Sequence, residues 1–164
     1  MEKKKIYLET TLFNYYFDTE NQDYHADTVA LFKACAAGIF EPYTSFHTIE
    51  ELEKAPIEKR NKMSELIDQY GIKVLTISDE VNDLAKRYIS EGTLPKSSLP
   101  DAKHIATASV NSLDIIISLN FRHIVREKTI KLTGEINALL GYNAVEIISP
   151  KEALDNEKIR SDPR

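Results

Sequence analysis

The stretch LPDAKHIATASVNSLDIIISLNFRHI, residues 99–124, decides the fold. Its centre, Leu113–Leu119, is almost continuously apolar and contains Ile115-Ile116-Ile117. A β-branched run with no polar alternation is the pattern of a strand covered on both faces, which is the environment of a parallel sheet. The segment before it, DAKHIATASVNS, places Ala102, Ile105, Ala106 and Ser109 in helical register, so a helix should feed the strand. Polar groups stand at both ends of this unit: Asp101 and His104 at the start, then Asn120, Arg122 and His123 just past the strand.

Four further runs read as strands: Lys5–Leu8, Gly38–Thr44, Ile72–Ile77 and Ala144–Ile148. Helical patterns lie between them. DTVALFKACAAG ends at Gly38, IEKRNKMSELIDQYG at Gly71 and DEVNDLAKRYISEG at Gly92, each glycine suiting a helix C-terminus. TIKLTGEINALLGY supplies the last helix. Strands alternating with helices predict an α/β protein, a three-layer α/β/α sandwich around a central, mostly parallel sheet. The expected organisation is a single domain over residues 1–154, followed by a polar, disordered tail over 155–164 that ends in SDPR.

The 164 residues suffice for one real core, and 42% apolar with 29% charged residues is ordinary for a folded domain. No apolar run approaches the ~20 residues of a membrane span. The opening MEKKKIYLET is basic but has no apolar signal-peptide core. The single cysteine, Cys35, excludes an intrachain disulfide, fits the cytoplasm and reads as a buried small side chain. A net charge of −5 argues against nucleic-acid binding through a global positive field. It leaves room for a local basic rim around an acidic centre, the arrangement a metal-dependent nuclease needs.

In an open α/β sheet, ligands bind beyond the carboxyl ends of the strands. Strand one ends at Glu9-Thr10-Thr11, strand two is followed by a helix opening with TIEE, the helix begun at Asp101 returns to strand four, and strand four ends at Asn120. Glu9, Glu51, Asp101 and Asn120 are therefore expected on one rim, where two or three carboxylates suffice for Mg²⁺ or Mn²⁺. Each residue also has a purely structural reading. Thr48 to Glu51 fits a capping box with Thr48 as N-cap, Ser98-Leu99-Pro100-Asp101 has the same form, and Asn120 is a plausible turn former. His104 could simply pair with Asp101, and NFRHIVREKTIK could be a solvated helix face. What those separate readings leave unexplained is the joint placement on one edge. Phosphate-loop, dinucleotide and nucleophile-elbow motifs are absent, and His25, His47, His104 and His123 lack zinc-type spacing.

These segments resemble the PIN-domain proteins, metal-dependent ribonucleases common as toxins of bacterial toxin–antitoxin pairs. IYLETTLFNYY is similar to the family's first strand and acid, here Glu9; YTSFHTIEELEK to the second, here Glu51, with Glu50 the neighbouring choice; LPDAKHIATA to the third, here Asp101; and DIIISLNFRHI to the fourth polar position, here Asn120. The family usually has Asp at the first position and often at the fourth. Glu9 and Asn120 resemble a subgroup with E-T-[ST], D-A-x-H-I-A and N-x-[KR]-H motifs. The resemblance implies an endoribonuclease with Glu9, Glu51 and Asp101 as metal ligands for Mg²⁺ or Mn²⁺, and Asn120 as an outer ligand or water positioner. Thr10, His104, Arg122 and His123 would face substrate phosphate. The implied partners are RNA, a cognate antitoxin and a second copy in a homodimer, in the cytoplasm and away from membranes. Two competing classes are a catalytically weak or inactive PIN-like module that binds RNA or protein, and a metal-dependent enzyme acting on another small substrate.

Overall fold

The computed structural model describes residues 2–161. Five parallel strands, β1 (Lys4–Leu8), β2 (Phe40–Ser45), β3 (Lys73–Leu75), β4 (Ile115–Ile117) and β5 (Glu146–Ile148), form one sheet in the order β3-β2-β1-β4-β5. The helices are α1 (Thr10–Tyr15), α2 (Gln22–Ala36), α3 (Phe46–Glu53), α4 (Ile57–Gln69), α5 (Asp79–Ser90), α6 (Leu99–Val110), α7 (Glu127–Leu140) and α8 (Pro150–Ser161).

The two-sided burial expected of the Ile115–Ile117 run is present. Ile115 and Ile117 join Ile6, Leu8 and Ile148 on one face, packed by Leu12, Phe13, Leu31, Phe32, Met63 and Leu66. Ile116 joins Tyr7 and Ile147 on the other, packed by Val81, Leu84, Tyr88, Ile105 and Ile136. Side chains alternate between faces along a strand, so three successive isoleucines serve both cores. Full burial of each stabilises by about 1.5–3 kcal/mol. The result is an α/β/α sandwich.

β1 lies at the centre, and successive strands leave it in opposite directions, to β2 and β3 on one side and to β4 and β5 on the other. The gap beyond the carboxyl ends of β1 and β4 is thus the topological switch point, where open sheets make their binding crevice. The chain bridges it tightly: the Glu9 amide donates to the Ile117 carbonyl at 3.2 Å.

Four local expectations are corrected. β3, β4 and β5 are shorter than the apolar runs, because the flanking residues already turn into loops, while β1 extends one residue further, to Lys4. Thr10–Tyr15, with no helix expected, is a six-residue helix that buries Leu12 and Phe13. The N-cap of α3 is Ser45, whose hydroxyl accepts from the Thr48 amide at 3.4 Å; Thr48 lies inside the helix. The tail expected to be disordered from Asp155 is helical through Ser161, while residues 162–164 lie outside the described residues. Ser149 Oγ accepts from the Glu152 amide at 3.2 Å, and Ala153 and Leu154 pack into the core, which gives this polar segment enough tertiary contact to order it.

Candidate active site

Glu9 follows β1 directly and is the N-cap residue of α1, with 3% of its surface exposed. Its Oε1 accepts from Thr11 Oγ1 at 2.5 Å and from Ser118 Oγ, just past β4, at 2.6 Å. The Asn120 amide in turn donates to Ser118 Oγ at 2.9 Å. Ser118 thereby ties the ends of β1 and β4 together.

Asp101 sits in the first turn of α6, with Pro100 before it. Asn120 Nδ2 donates to its Oδ1 at 3.3 Å, while Asn120 Oδ1 accepts from the His123 amide at 2.9 Å. Asn120 is therefore both the turn former of its structural reading and a partner of the third acid. Burial, then the nearby Glu9 carboxylate, push the Asp101 carboxyl above its usual range. Among the described residues no lysine or arginine forms an ion pair with Glu9 or Asp101.

Glu51 stands on α3. Its Oε1 accepts from Thr10 Oγ1 at 2.6 Å and from His104 Nε2 at 2.6 Å, with His47 Nε2 3.8 Å away. His104 has no exposed surface, and its Nδ1 lies 2.6 Å from the Tyr7 hydroxyl, which reaches Ser45 Oγ at 2.8 Å. Burial works against a charged His104 ring, but the Tyr7 oxygen and Glu51 outweigh it and hold the imidazole protonated well above its ordinary value. For Glu51, burial alone would raise the carboxyl; the hydrogen bond and charge of His104 reverse this and hold it low.

This placement revises two expected roles. His104 and Thr10 were expected to meet phosphate; instead both are buried and both orient Glu51. His104 also pairs with Glu51, not with Asp101, three residues earlier. Arg122 and Phe121 are exposed beyond Asn120, and His123 is half-buried, its Nδ1 enclosed without a hydrogen-bond partner among the described residues. Sequence reasoning missed Tyr7, His47 and Ser118 as members of the site. A tyrosine inside an apolar strand and a serine ending one were the available signals.

The three acids share one feature. Among the described residues every hydrogen bond to them falls on a single oxygen: Oε1 of Glu9, Oε1 of Glu51 and Oδ1 of Asp101. The second oxygen of each is left for another partner. This set of carboxylate oxygens fits a hard divalent cation bound through carboxylate oxygen and water. His47, Glu51 and His104 also bring side-chain atoms within 4.8 Å of one another, but with His104 protonated and donating to Glu51 they form a hydrogen-bonded cluster, not an open ligand set.

Fold and site together define a doubly wound α/β domain with acidic side chains gathered at the carboxyl ends of its central strands. A family model described as PIN domain matches residues 6–127. The chain belongs to the PIN domain family. Its fold is similar to that in a toxin–antitoxin complex from Klebsiella pneumoniae, with TM-score 0.52 and 19% identity over 72% of this chain and 88% of that one. It is also similar to VapC20 of Mycobacterium tuberculosis, described as a sarcin–ricin loop cleaving toxin, with TM-score 0.54 and 13% identity over 68% of this chain and 86% of that one. No curated protein matches the sequence. Among the described residues no helix is long and apolar enough to cross a membrane.

Proposed function

We propose that this protein is a Mg²⁺- or Mn²⁺-dependent endoribonuclease acting as the toxin of a toxin–antitoxin pair. The observation that carries the reading is the set of three carboxylates at the switch point, each with one oxygen committed to the fold and one left open. Glu9, Asp101 and the open oxygen of Glu51 would hold the cation, which would supply positive charge against the scissile phosphate and a more acidic water.

The chain's own groups do the positioning. Thr11 and Ser118 fix the Glu9 rotamer, protonated His104 and Thr10 fix Glu51, and Asn120 orients Asp101 through its amide. Arg122, exposed beside Asn120, supplies the phosphate contact, with His123 next to it. RNA as substrate, an antitoxin as partner, pairing with a second copy and a cytoplasmic location belong to the same reading. Support comes from family membership and from the fold shared with a chain of a toxin–antitoxin complex and with a sarcin–ricin loop cleaving toxin. One observation favours a weaker module: Asn120 adds no charge, and its amide is spent on Asp101.

Incubating the full chain with single-stranded RNA tests the proposal. Cleavage should require Mn²⁺ or Mg²⁺, stop with a chelator and vanish in Asp101→Asn. Tight binding of RNA without turnover in either metal would select the module instead.

A further inference from the structure

Phe121 follows Asn120 directly and exposes 43% of its surface. Exposure alone would not single it out, since Phe46 is as open at 48%; what does is the aromatic support beneath it, next to Asn120. Its ring is supported from below. Tyr24 of α2 lies 5.8 Å away between centroids, tilted by 36°, and Tyr15 meets Tyr24 edge-on at 5.3 Å and 90°. Tyr24 is itself held at the start of α2, where its amide donates to Asn21 Oδ1 at 3.1 Å and its carbonyl accepts from Thr28 Oγ1 at 2.7 Å. Three rings from α1, α2 and the loop after β4 thus form a fixed aromatic step.

The step adjoins positive charge. Arg122 is exposed beside it, and among the described residues its guanidinium forms no ion pair with an acid. Lys128 and Lys131 are exposed further along the same segment. An aromatic face beside cationic groups, one residue from a candidate catalytic position, matches how proteins hold single strands: bases stack on rings while the backbone follows the charge.

We infer that Phe121, supported by Tyr24, is a stacking platform for an unpaired RNA base flanking the scissile phosphate. The inference rests on the ribonuclease reading and deepens it. The substrate is then an RNA that is single-stranded at the cut, because a base inside a duplex has no free face to offer. Stacking accepts every base, so the platform sets strandedness and favours the larger purine face, while sequence choice is left to other contacts.

The test uses the full chain with Ca²⁺ replacing Mg²⁺ to suppress cleavage, and short single-stranded RNAs carrying 2-aminopurine at successive positions. In the wild type, one position should show fluorescence quenching on binding. Phe121→Ala should weaken binding between about 5-fold and about 150-fold, the range for losing one stacked base. It should also abolish that quenching. Phe121→Leu, which keeps apolar bulk without a π face, should behave like the alanine variant, and Phe121→Trp should restore both signals. A duplex of the same sequence should bind equally to wild type and Phe121→Ala. Unchanged affinity and quenching in Phe121→Ala would overturn the platform while leaving the ribonuclease reading intact. Altered sedimentation of the RNA-free Phe121→Ala protein with unchanged RNA binding would make the patch a protein-binding face. Absence of any RNA binding by the wild type would remove the ribonuclease reading and the platform with it.

Discussion

Replacing Asp101 by Asn separates the metal-binding account of this residue from the capping account. In the metal-free protein the substitution should cost little. The amide oxygen still accepts from Asn120 Nδ2, now 3.3 Å from Oδ1, and still suits the first turn of α6. It also removes a carboxylate that burial and Glu9 already push toward its neutral form. The metal-free variant should therefore melt at or slightly above the wild-type temperature. With Mn²⁺ at about 100 times its Kd, ligand linkage stabilises the wild type by about 2.7 kcal/mol. For a domain of this size each kcal/mol shifts Tm by about 2–4 °C, so the wild type should gain about 5–11 °C. Asp101→Asn should gain almost nothing. Thermal melts of both proteins with and without Mn²⁺ read this directly. An equal Mn²⁺-induced rise in the two proteins would refute the metal role of Asp101, and a large drop in the metal-free variant would show that its carboxylate serves the helix.

Other outcomes follow from the same structure. Protonated His104 contributes stability that is complete below its unfolded value near 6.5 and lost as pH rises through its raised folded value. Ionised Glu51 contributes stability present above its unfolded value near 4.5 and lost as pH falls through its lowered folded value. Urea unfolding across pH should show both losses in the wild type and a flatter alkaline limb in Glu51→Gln; parallel profiles would contradict the pair. Removing one partner with His104→Ala should cost about 2–4 kcal/mol by chemical denaturation, toward the low end for a buried pair because 27% of the Glu51 side chain is exposed. In Ca²⁺, Arg122→Ala should weaken single-stranded RNA binding and make the slope of log affinity against log salt shallower by about 0.7, the share of one phosphate contact; coincident lines would leave the basic segment a solvated face. Gly141 ends α7 at φ +83° with open space where a Cβ would stand, so Gly141→Ala should cost only the backbone strain, about 1 kcal/mol in a melt.

The sheet was legible because its signal is strong and local: Ile115-Ile116-Ile117 could pack only between two layers, and the glycines at 38, 71 and 92 do follow helices with positive φ. Strand order was not legible, since it depends on contacts such as Ile6 beside Ile115 that lie over a hundred residues apart in the chain. α8 escaped notice because its few apolar residues matter only once α2 and the sheet offer a surface. At the site, rim placement of Glu9, Asp101 and Asn120 followed from strand ends, and the structure joins them through Ser118 and the Asn120 amide. The roles of Thr10 and His104 did not follow. Sequence spacing placed His104 near Asp101, whereas its side chain turns inward to Tyr7 and Glu51, a choice fixed by tertiary packing.

The central claim, that the acids of the switch point form a cation site, is tested most directly by diffraction from crystals soaked in Mn²⁺ with data at an anomalous wavelength. The account predicts an anomalous peak at the carboxyl ends of β1 and β4, bound by Glu9 and Asp101 oxygens at about 2.1 Å, with Glu51 in its shell and waters completing it. A peak confined to surface acids elsewhere, or none at saturating Mn²⁺, would contradict it.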